Sequence, residues 1–209
     1  MKTLLTSIFL IIILVGCQDT TNITDPLHST NPMNLNKSYD RDDYGFDLIQ
    51  LPTKSPEWQD SVFTVSKEID GEDGGNVTLF KYYITESGWP FYIYATLDIP
   101  ENAFQGTKII TMTLDEEFAT IHFYPETQTN WYKPFILNQY FQGLDYVGLF
   151  SKYMIMTLED FDFVYQNQNG QVETVKKDAF QFNRQLGLIK VQGANLTHFS
   201  RYGWIRKQG

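Results

Sequence analysis

Beyond residue 61 the apolar residues of this chain come in short runs of β-branched and aromatic side chains, and none keeps helical spacing for three turns. Val62, Phe63 and Val65 begin the pattern, and turn signals punctuate it. Asp70-Gly71-Glu72-Asp73-Gly74-Gly75 precedes a run at 77–85, Ser87-Gly88-Trp89-Pro90 separates it from 91–99, and Pro100 stops that second run. Further runs occupy 108–114, 118–124, 135–141, 154–158, 161–166, 172–176, 188–192 and 196–205. Asn167-Gln168-Asn169-Gly170 suits a hairpin, because Asn-Gly accepts positive φ. Parallel strands need crossover helices, and this pattern offers only two short helical turns, at 101–105 and 144–150. The expectation is an all-β fold, an antiparallel sandwich or barrel.

Composition narrows the partners. A chain of 209 residues with 42% apolar and 16% aromatic side chains is long enough to bury a core without disulfide staples. Its single cysteine excludes an intramolecular disulfide and any zinc site built from several thiolates. With 25 acids against 16 bases it lacks the surplus that grips phosphate, so no nucleic acid partner is expected.

The N terminus reads as an address. Met1-Lys2-Thr3 is a short, weakly basic start, and Leu4 and Leu5 lead into Ile8-Phe9-Leu10-Ile11-Ile12-Ile13-Leu14-Val15. So short an apolar stretch after a basic start marks an export signal rather than a membrane span. Leu14-Val15-Gly16-Cys17 then resembles the lipobox of bacterial lipoproteins, and Cys17 is the one cysteine in the chain. The resemblance implies that a diacylglyceryl group is placed on the Cys17 thiol and that the Gly16–Cys17 bond is cut. Cys17 then becomes an acylated N terminus in a lipid bilayer. It places the protein in a bacterial cell envelope, the outer membrane favoured, on the surface or the periplasmic face. Each buried acyl methylene contributes about 0.8 kcal/mol, so several chains on one residue hold firmly. The competing reading is an ordinary signal peptide or short anchor with a chance cysteine. Loss of residues 1–16 removes Lys2, leaving 15 bases against 25 acids and a net charge of −10. Asn22, Asn36, Asn76 and Asn195 open Asn-x-Ser/Thr triplets, which in a bacterial lipoprotein reflect composition rather than glycosylation.

Three segments follow from this: a signal peptide at 1–16, an acylated tether at 17–60 and the β domain at 61–209. Between Gln18 and Asp60 eight acids meet three bases, and Asp, Thr, Asn, Pro and Ser dominate. Such composition does not offset ordering entropy, so a disordered tether is expected, with an r.m.s. span of about 35 Å. The patch Tyr44-Gly45-Phe46-Asp47-Leu48-Ile49 has some strand character but stays in the tether on this reading.

Ordered landmarks between residues 71 and 203 resemble the ZU-five domain, a β-sandwich of ankyrins, netrin receptors and bacterial surface proteins. Gly74-Gly75-Asn76-Val77-Thr78-Leu79 is similar to its opening glycines and first strand. Ala95-Thr96-Leu97-Asp98-Ile99-Pro100-Glu101-Asn102-Ala103-Phe104 resembles its Ile-Pro-x-x-Ala signature, and a strand at 107–113 follows. Phe123-Tyr124-Pro125, Lys133-Pro134 and the closing His198-Phe199-Ser200-Arg201-Tyr202 complete the series. Pro100 would end a strand, and Ala103 is small enough to let the turn pack on the sheet. The resemblance selects a β-sandwich for residues 61–209 and says little about function, because the architecture serves many roles.

Three kinds of chemistry have candidate residues. In some ZU-five members the tripeptide His-Phe-Ser resembles a self-cleavage site. Transferred here, Ser200 Oγ attacks the Phe199 carbonyl in an N→O acyl shift, His198 takes the proton, and water opens the ester at the scissile Phe199–Ser200 bond. In a regular strand His198 and Ser200 would share a face with Cα atoms about 6.6 Å apart, out of hydrogen-bond reach unless the strand kinks. The plainer reading has Phe199 filling the core. Trp89, Phe91, Tyr92, Trp131 and Tyr132 lie in or beside turns, and Trp89, Trp131 and Tyr132 are the candidates for stacking on a glycan. Against this, most rings in so aromatic a chain must be core. The segment from Asp70 has Gly74 and Lys81 where a calcium loop needs carboxylates at its fifth and twelfth places. Asp115-Glu116-Glu117 and Glu159-Asp160 read as solvated turns, and His28, His122 and His198 lack metal-ligand spacing, so no metal or cofactor is expected. The chain shows no nucleophile elbow, phosphate loop or dinucleotide fingerprint. The leading expectation is a non-enzymatic binding or structural module that holds another envelope protein. Self-cleavage and glycan binding are its alternatives.

Overall fold

In a computed structural model the described residues are 47–126, 131–144, 157–167 and 172–207. They form two antiparallel sheets packed as a β-sandwich. The strands are β1 (Asp47–Leu48), β2 (Thr64–Asp70), β3 (Gly75–Ile84), β4 (Pro90–Ile99), β5 (Thr107–Leu114), β6 (Thr120–Tyr124), β7 (Phe135–Gln142), β8 (Phe161–Gln166), β9 (Val172–Thr174), β10 (Ala179–Asn183), β11 (Leu188–Leu196) and β12 (Arg201–Arg206). One sheet has the order β2-β5-β6-β12-β8-β9, and β1 pairs with β12 at Ile205 and Arg206, beyond the stretch that β6 occupies. The other has the order β10-β11-β7-β4-β3. Hairpins β3–β4, β5–β6, β8–β9 and β10–β11 stay within a sheet, and the chain changes sheet between them.

Alternation decides which side chains fill the space between the sheets. Along β4, Phe91, Ile93, Ala95, Leu97 and Ile99 are buried while Tyr92, Tyr94, Thr96 and Asp98 point outward. β7 does the same with Phe135, Leu137 and Phe141 inward. From the facing sheet Tyr202 and Trp204 of β12 enter the core. Trp204 packs on Phe161 and Phe163 of its own sheet and on Phe180 of β10 across the gap, at 6.4, 5.4 and 5.4 Å between ring centroids. Burying each such ring contributes about 2–3 kcal/mol, so the aromatic bridge carries much of the cohesion between sheets.

Pro100 ends β4, and the turn beyond it is not helical at 101–105 as the sequence suggested. Its backbone groups bond across to the β2–β3 turn instead: Asn102 N–H to Glu72 O at 3.1 Å and Ala103 N–H to Gly71 O at 3.0 Å, while Gly71 N–H reaches Gly106 O at 3.0 Å. Ala103 is fully buried, and a Cβ on Gly71 would lie 2.2 Å from the Phe104 carbonyl oxygen. Two loops thus interlock where only very small residues fit.

The structure differs from the sequence reading elsewhere too. Residues 47–60, assigned there to the tether, belong to the sandwich. Leu48 pairs with Ile205, Ile49 N–H bonds to Trp204 O at 3.0 Å, Leu51 N–H bonds to Glu117 O at 2.7 Å, and all three side chains are buried. Polar neighbours dilute this short apolar stretch, so its strand character is too weak in the sequence to set it apart from the tether. β10 was missed for a similar reason, since its half-buried Phe180 and Phe182 alternate with exposed Gln181 and Asn183. The run foreseen at 196–205 is split, with β11 ending at Leu196 and β12 starting at Arg201. Leu158 lies in a one-turn 3-10 helix, Leu158–Asp160, capped by Thr157, rather than in a strand. The signal peptide with Gly16 and Cys17, residues 145–156 and the turn at 168–170 lie outside the described residues.

Gly71→Ala is expected to lower unfolding free energy by about 1–3 kcal/mol, because the added methyl meets both the backbone and the buried ring of Phe104. Urea denaturation followed by tryptophan fluorescence measures it, and an unchanged midpoint would contradict the interlocked turns.

Candidate functional site

His198, Phe199 and Ser200 lie where the chain crosses from β11 in one sheet to β12 in the other. The strand is broken there, yet the break does not bring base and nucleophile together. Phe199 is buried against Phe123, Trp131 and Phe135 at 5.7, 5.0 and 5.2 Å between centroids. His198 Nδ1 lies 3.1 Å from Thr197 Oγ1 and 3.2 Å from the Tyr202 hydroxyl, and its ring sits 3.9 Å from that of Tyr165. The Tyr202 hydroxyl donates to the His198 carbonyl at 2.7 Å, so its single proton is spent there. Ser200 is buried, its carbonyl accepts Phe123 N–H at 2.8 Å, and no hydrogen bond links its hydroxyl to His198. Burial lowers the His198 pKa, with Glu173 opposing, so the ring is kept neutral. The two residues are neighbours in the chain, but His198 Nδ1 is engaged by Thr197 and Tyr202 and not by the Ser200 hydroxyl.

The three candidate binding rings do not converge either. Trp89 is 54% exposed at the β3–β4 turn. Tyr132 is 65% exposed, and its N–H bonds to Ala103 O at 2.8 Å, beyond the opposite end of β4. A ten-residue strand, Pro90–Ile99, separates the two by about 30 Å. Trp131 is wedged between Phe104, Phe135 and Phe199, with Nε1 buried and without a partner. It is part of the core wall rather than a loop platform. Phe91 is core as well.

Exposed rings gather instead on the outer face of the five-stranded sheet, at its β3 edge. Phe80 is 57% exposed and Tyr82 47%. Tyr82 packs beside Trp58 and Tyr92 at 5.5 and 6.1 Å, and Tyr94 stacks on Tyr140 at 5.2 Å. The register sets Phe80 beside Tyr94 and Tyr140, and Tyr82 beside Tyr92. Polar neighbours finish the face: Thr78 and Thr96 hydroxyls meet at 3.3 Å, and Asn138 Nδ2 donates to Asp98 at 3.4 Å. The signal was present as alternation, Thr78-x-Phe80-x-Tyr82 against Tyr92-x-Tyr94-x-Thr96. Attention to turns passed over it.

A second cluster had no local signal. On the outer face of the seven-stranded sheet, Thr113, His122, Arg201 and Gln166 fall on one cross-strand row, and the Asp115 carboxylate joins them from the β5–β6 turn. Arg201 Nε donates to His122 Nε2 at 2.9 Å, its Nη1 donates to Gln166 Oε1 at 3.2 Å, and its Nη2 pairs with Asp115 Oδ2 at 3.2 Å. His122 Nε2 is also 3.2 Å from Asp115 Oδ2. One ring nitrogen cannot both accept from Arg201 and donate to Asp115. Because the guanidinium never gives up its proton, His122 is the neutral tautomer carrying hydrogen on Nδ1. Asp115 Oδ1 accepts the N–H groups of Glu117 and Phe118, both at 2.9 Å. Burial works to raise the Asp115 pKa, but the Arg201 charge and these two amides outweigh it and hold the carboxyl below its usual range. The arrangement ties four elements together, and it leaves the Gln166 Nε2 donor buried without a partner among the described residues. Among the described residues no group of three His, Cys, Asp or Glu side chains is placed to hold a metal ion.

Comparison with known protein families finds no match, and no characterised protein or solved structure is measurably similar to the chain.

Asp115→Asn is expected to cost about 3–5 kcal/mol, since it removes a carboxylate paired with the buried Arg201 charge. The folded pKa of Asp115 is depressed, so its contribution is complete above the unfolded value of about 4 and is lost as pH falls through the lower folded value. Stability measured against pH should therefore drop less steeply over that acid window in the variant than in the parent.

Proposed function

We propose that this chain is a lipoprotein of a bacterial envelope, held at the membrane by an acylated Cys17. Its sandwich serves as a non-enzymatic binding module for another envelope protein. The observation that carries the binding role is the placement of Phe80, Tyr82 and Trp89, all large and largely exposed, around one edge of one sheet. Contiguous aromatic surface left in water costs free energy that a partner recovers by covering it. Aromatic side chains also dominate the energetic centres of protein interfaces. The lipobox supports the anchor, and the ZU-five-like landmarks accord with a module that works by contact.

A glycan ligand is the second reading, and the same face favours it over the loops. Phe80 and Tyr82 present accessible rings, and Thr78, Asp98 and Asn138 supply hydroxyl, carboxylate and amide groups within the same sheet face. Self-cleavage has less support. Phe199 is locked in the core, and the His198 ring is held by Thr197, Tyr165 and Tyr202.

Intact-mass measurement of the protein purified from bacterial membranes tests anchor and processing together. The expected species begins at acylated Cys17 and keeps the residues on both sides of the Phe199–Ser200 bond, and Ser200→Ala changes its mass only by the lost oxygen. An unlipidated product would overturn the anchor, and a break before Ser200 would restore the cleavage reading. A photo-crosslinker placed at Phe80 in intact cells should yield an adduct with a protein. Retention on a polysaccharide column that is lost in Phe80→Ala and Tyr82→Ala, with no protein adduct, would transfer the function to glycan binding.

A further inference from the structure

We infer that the free edge of β3 binds an extended, acidic peptide segment of the partner as an added strand. This rests on the binding-module reading and names the chemistry of its partner.

β3 pairs with β4 over all ten of its residues, and among the described residues no strand hydrogen-bonds to its other side, where β2 of the facing sheet packs beside it. The hydrogen bonds fix which groups face that open side. Thr85 N–H bonds to Trp89 O at 2.9 Å, so the odd-numbered residues direct their backbone groups toward β4. Ile84 O accepts Ser55 N–H at 2.9 Å and Asn76 O accepts Lys67 Nζ at 3.0 Å, so the even-numbered residues face away. Between these two occupied carbonyls, Thr78, Phe80 and Tyr82 offer an N–H and a C=O each along the open edge. That is the template on which strand addition works.

The chain itself begins such a strand and then leaves it. Lys54 bridges antiparallel to Thr85, with Glu86 N–H on Thr53 O at 2.9 Å matching the Ser55 bond. The next step would have run beside Tyr82, but Pro56 opens the one-turn 3-10 helix Pro56–Trp58, which carries the chain off the edge. The line of a sixth strand is therefore started by this protein and left open for about five residues.

The flanks of the opening say what would fill it. On the outer side stand Phe80 and Tyr82, which call for apolar or aromatic cross-strand neighbours. On the inner side Lys81 and Lys67 are both exposed at the rim. A second copy pairing its own β3 would set these ammonium groups against their equivalents, which disfavours self-association. A strand alternating apolar side chains with carboxylates meets both flanks. The lysines stand out in a chain whose net charge is −9.

The test uses the acylated full-length protein in detergent micelles and a fluorescent peptide of alternating glutamate and valine, about seven residues long to span the opening. Saturable binding is expected, and a lysine–valine peptide of equal length should bind at least about tenfold more weakly. Amide hydrogen exchange supplies the reading specific to the edge. In the free protein the amides of Thr78, Phe80 and Tyr82 exchange fast while those of Val77, Leu79, Lys81 and Tyr83 are protected, and the glutamate peptide should slow the first set alone. Phe80→Pro removes an edge donor without touching the β4 ladder and should abolish that protection. Should it disturb the strand, Lys67→Glu with Lys81→Glu, at exposed positions, should reverse the preference to the lysine peptide. Failure of the glutamate peptide to saturate, equal binding of the two peptides, or binding without slowed edge amides overturns the inference. The crosslink at Phe80 reads the binding-module proposal separately, so the two can fail independently.

Discussion

The whole sandwich depends on a strand that must be buried on both faces. In β12 every residue from Arg201 to Ile205 is buried, although only Tyr202 and Trp204 point into the space between the sheets. The other face needs its own cover. At one end Leu48 and Val164 close over Ile205, and at the other Asp115, His122 and Gln166 close around Arg201. Between them Gly203 leaves the space that Thr120 fills, since a Cβ there would come within 2.2 Å of Thr120 Cγ2. A guanidinium under such cover is tolerable only with its donors satisfied, which is why the Asp115 carboxylate is held ionised beside it. The short strand β1 then has a clear purpose, because without Leu48 the end of β12 would lose its lid.

The same requirement explains what was legible in the sequence. Strands such as β4 and β7 bury one face, so their alternation survives in the residue order, and the antiparallel sandwich could be inferred from it. β12 buries both faces with a mixture of Arg, Tyr, Gly, Trp and Ile, and no period of two remains to be seen. β1 is only Asp47–Leu48, too short to carry any period, and it was absorbed into the tether. The Asp115–His122–Arg201 cluster joins residues that meet only through strand pairing, so nothing at the level of spacing could have announced it.

The candidate sites fared differently for a related reason. Turn aromatics were favoured because sandwiches present loops, yet Trp131 is drawn into the core by Phe104, Phe135 and Phe199. Exposed rings lie where alternation leaves them, on the outer face of β3 and β4, and it is the position of β3 at the end of its sheet that makes Phe80 and Tyr82 accessible. The His198-Phe199-Ser200 tripeptide occupies a crossover between sheets. A crossover needs an anchor in the core, and Phe199 provides it.

Attachment to a bilayer changes how strong such a binding edge has to be. An edge of three residues makes few main-chain hydrogen bonds, each worth about 0.5–1.5 kcal/mol net of the water it displaces, so strand addition of this length is weak in free solution. On the proposed lipid anchor both partners are confined to one surface, and encounter becomes close to intramolecular, with effective concentrations that reach the millimolar range for short linkers. Weak pairing then gives substantial occupancy while remaining reversible. An edge that bound tightly without such confinement would also recruit other exposed strands, and the lysines flanking Thr78, Phe80 and Tyr82 guard against that outcome. On this proposal low intrinsic affinity and a charge-selective edge are two sides of one solution, in which the anchor would supply the concentration and the edge the choice of partner.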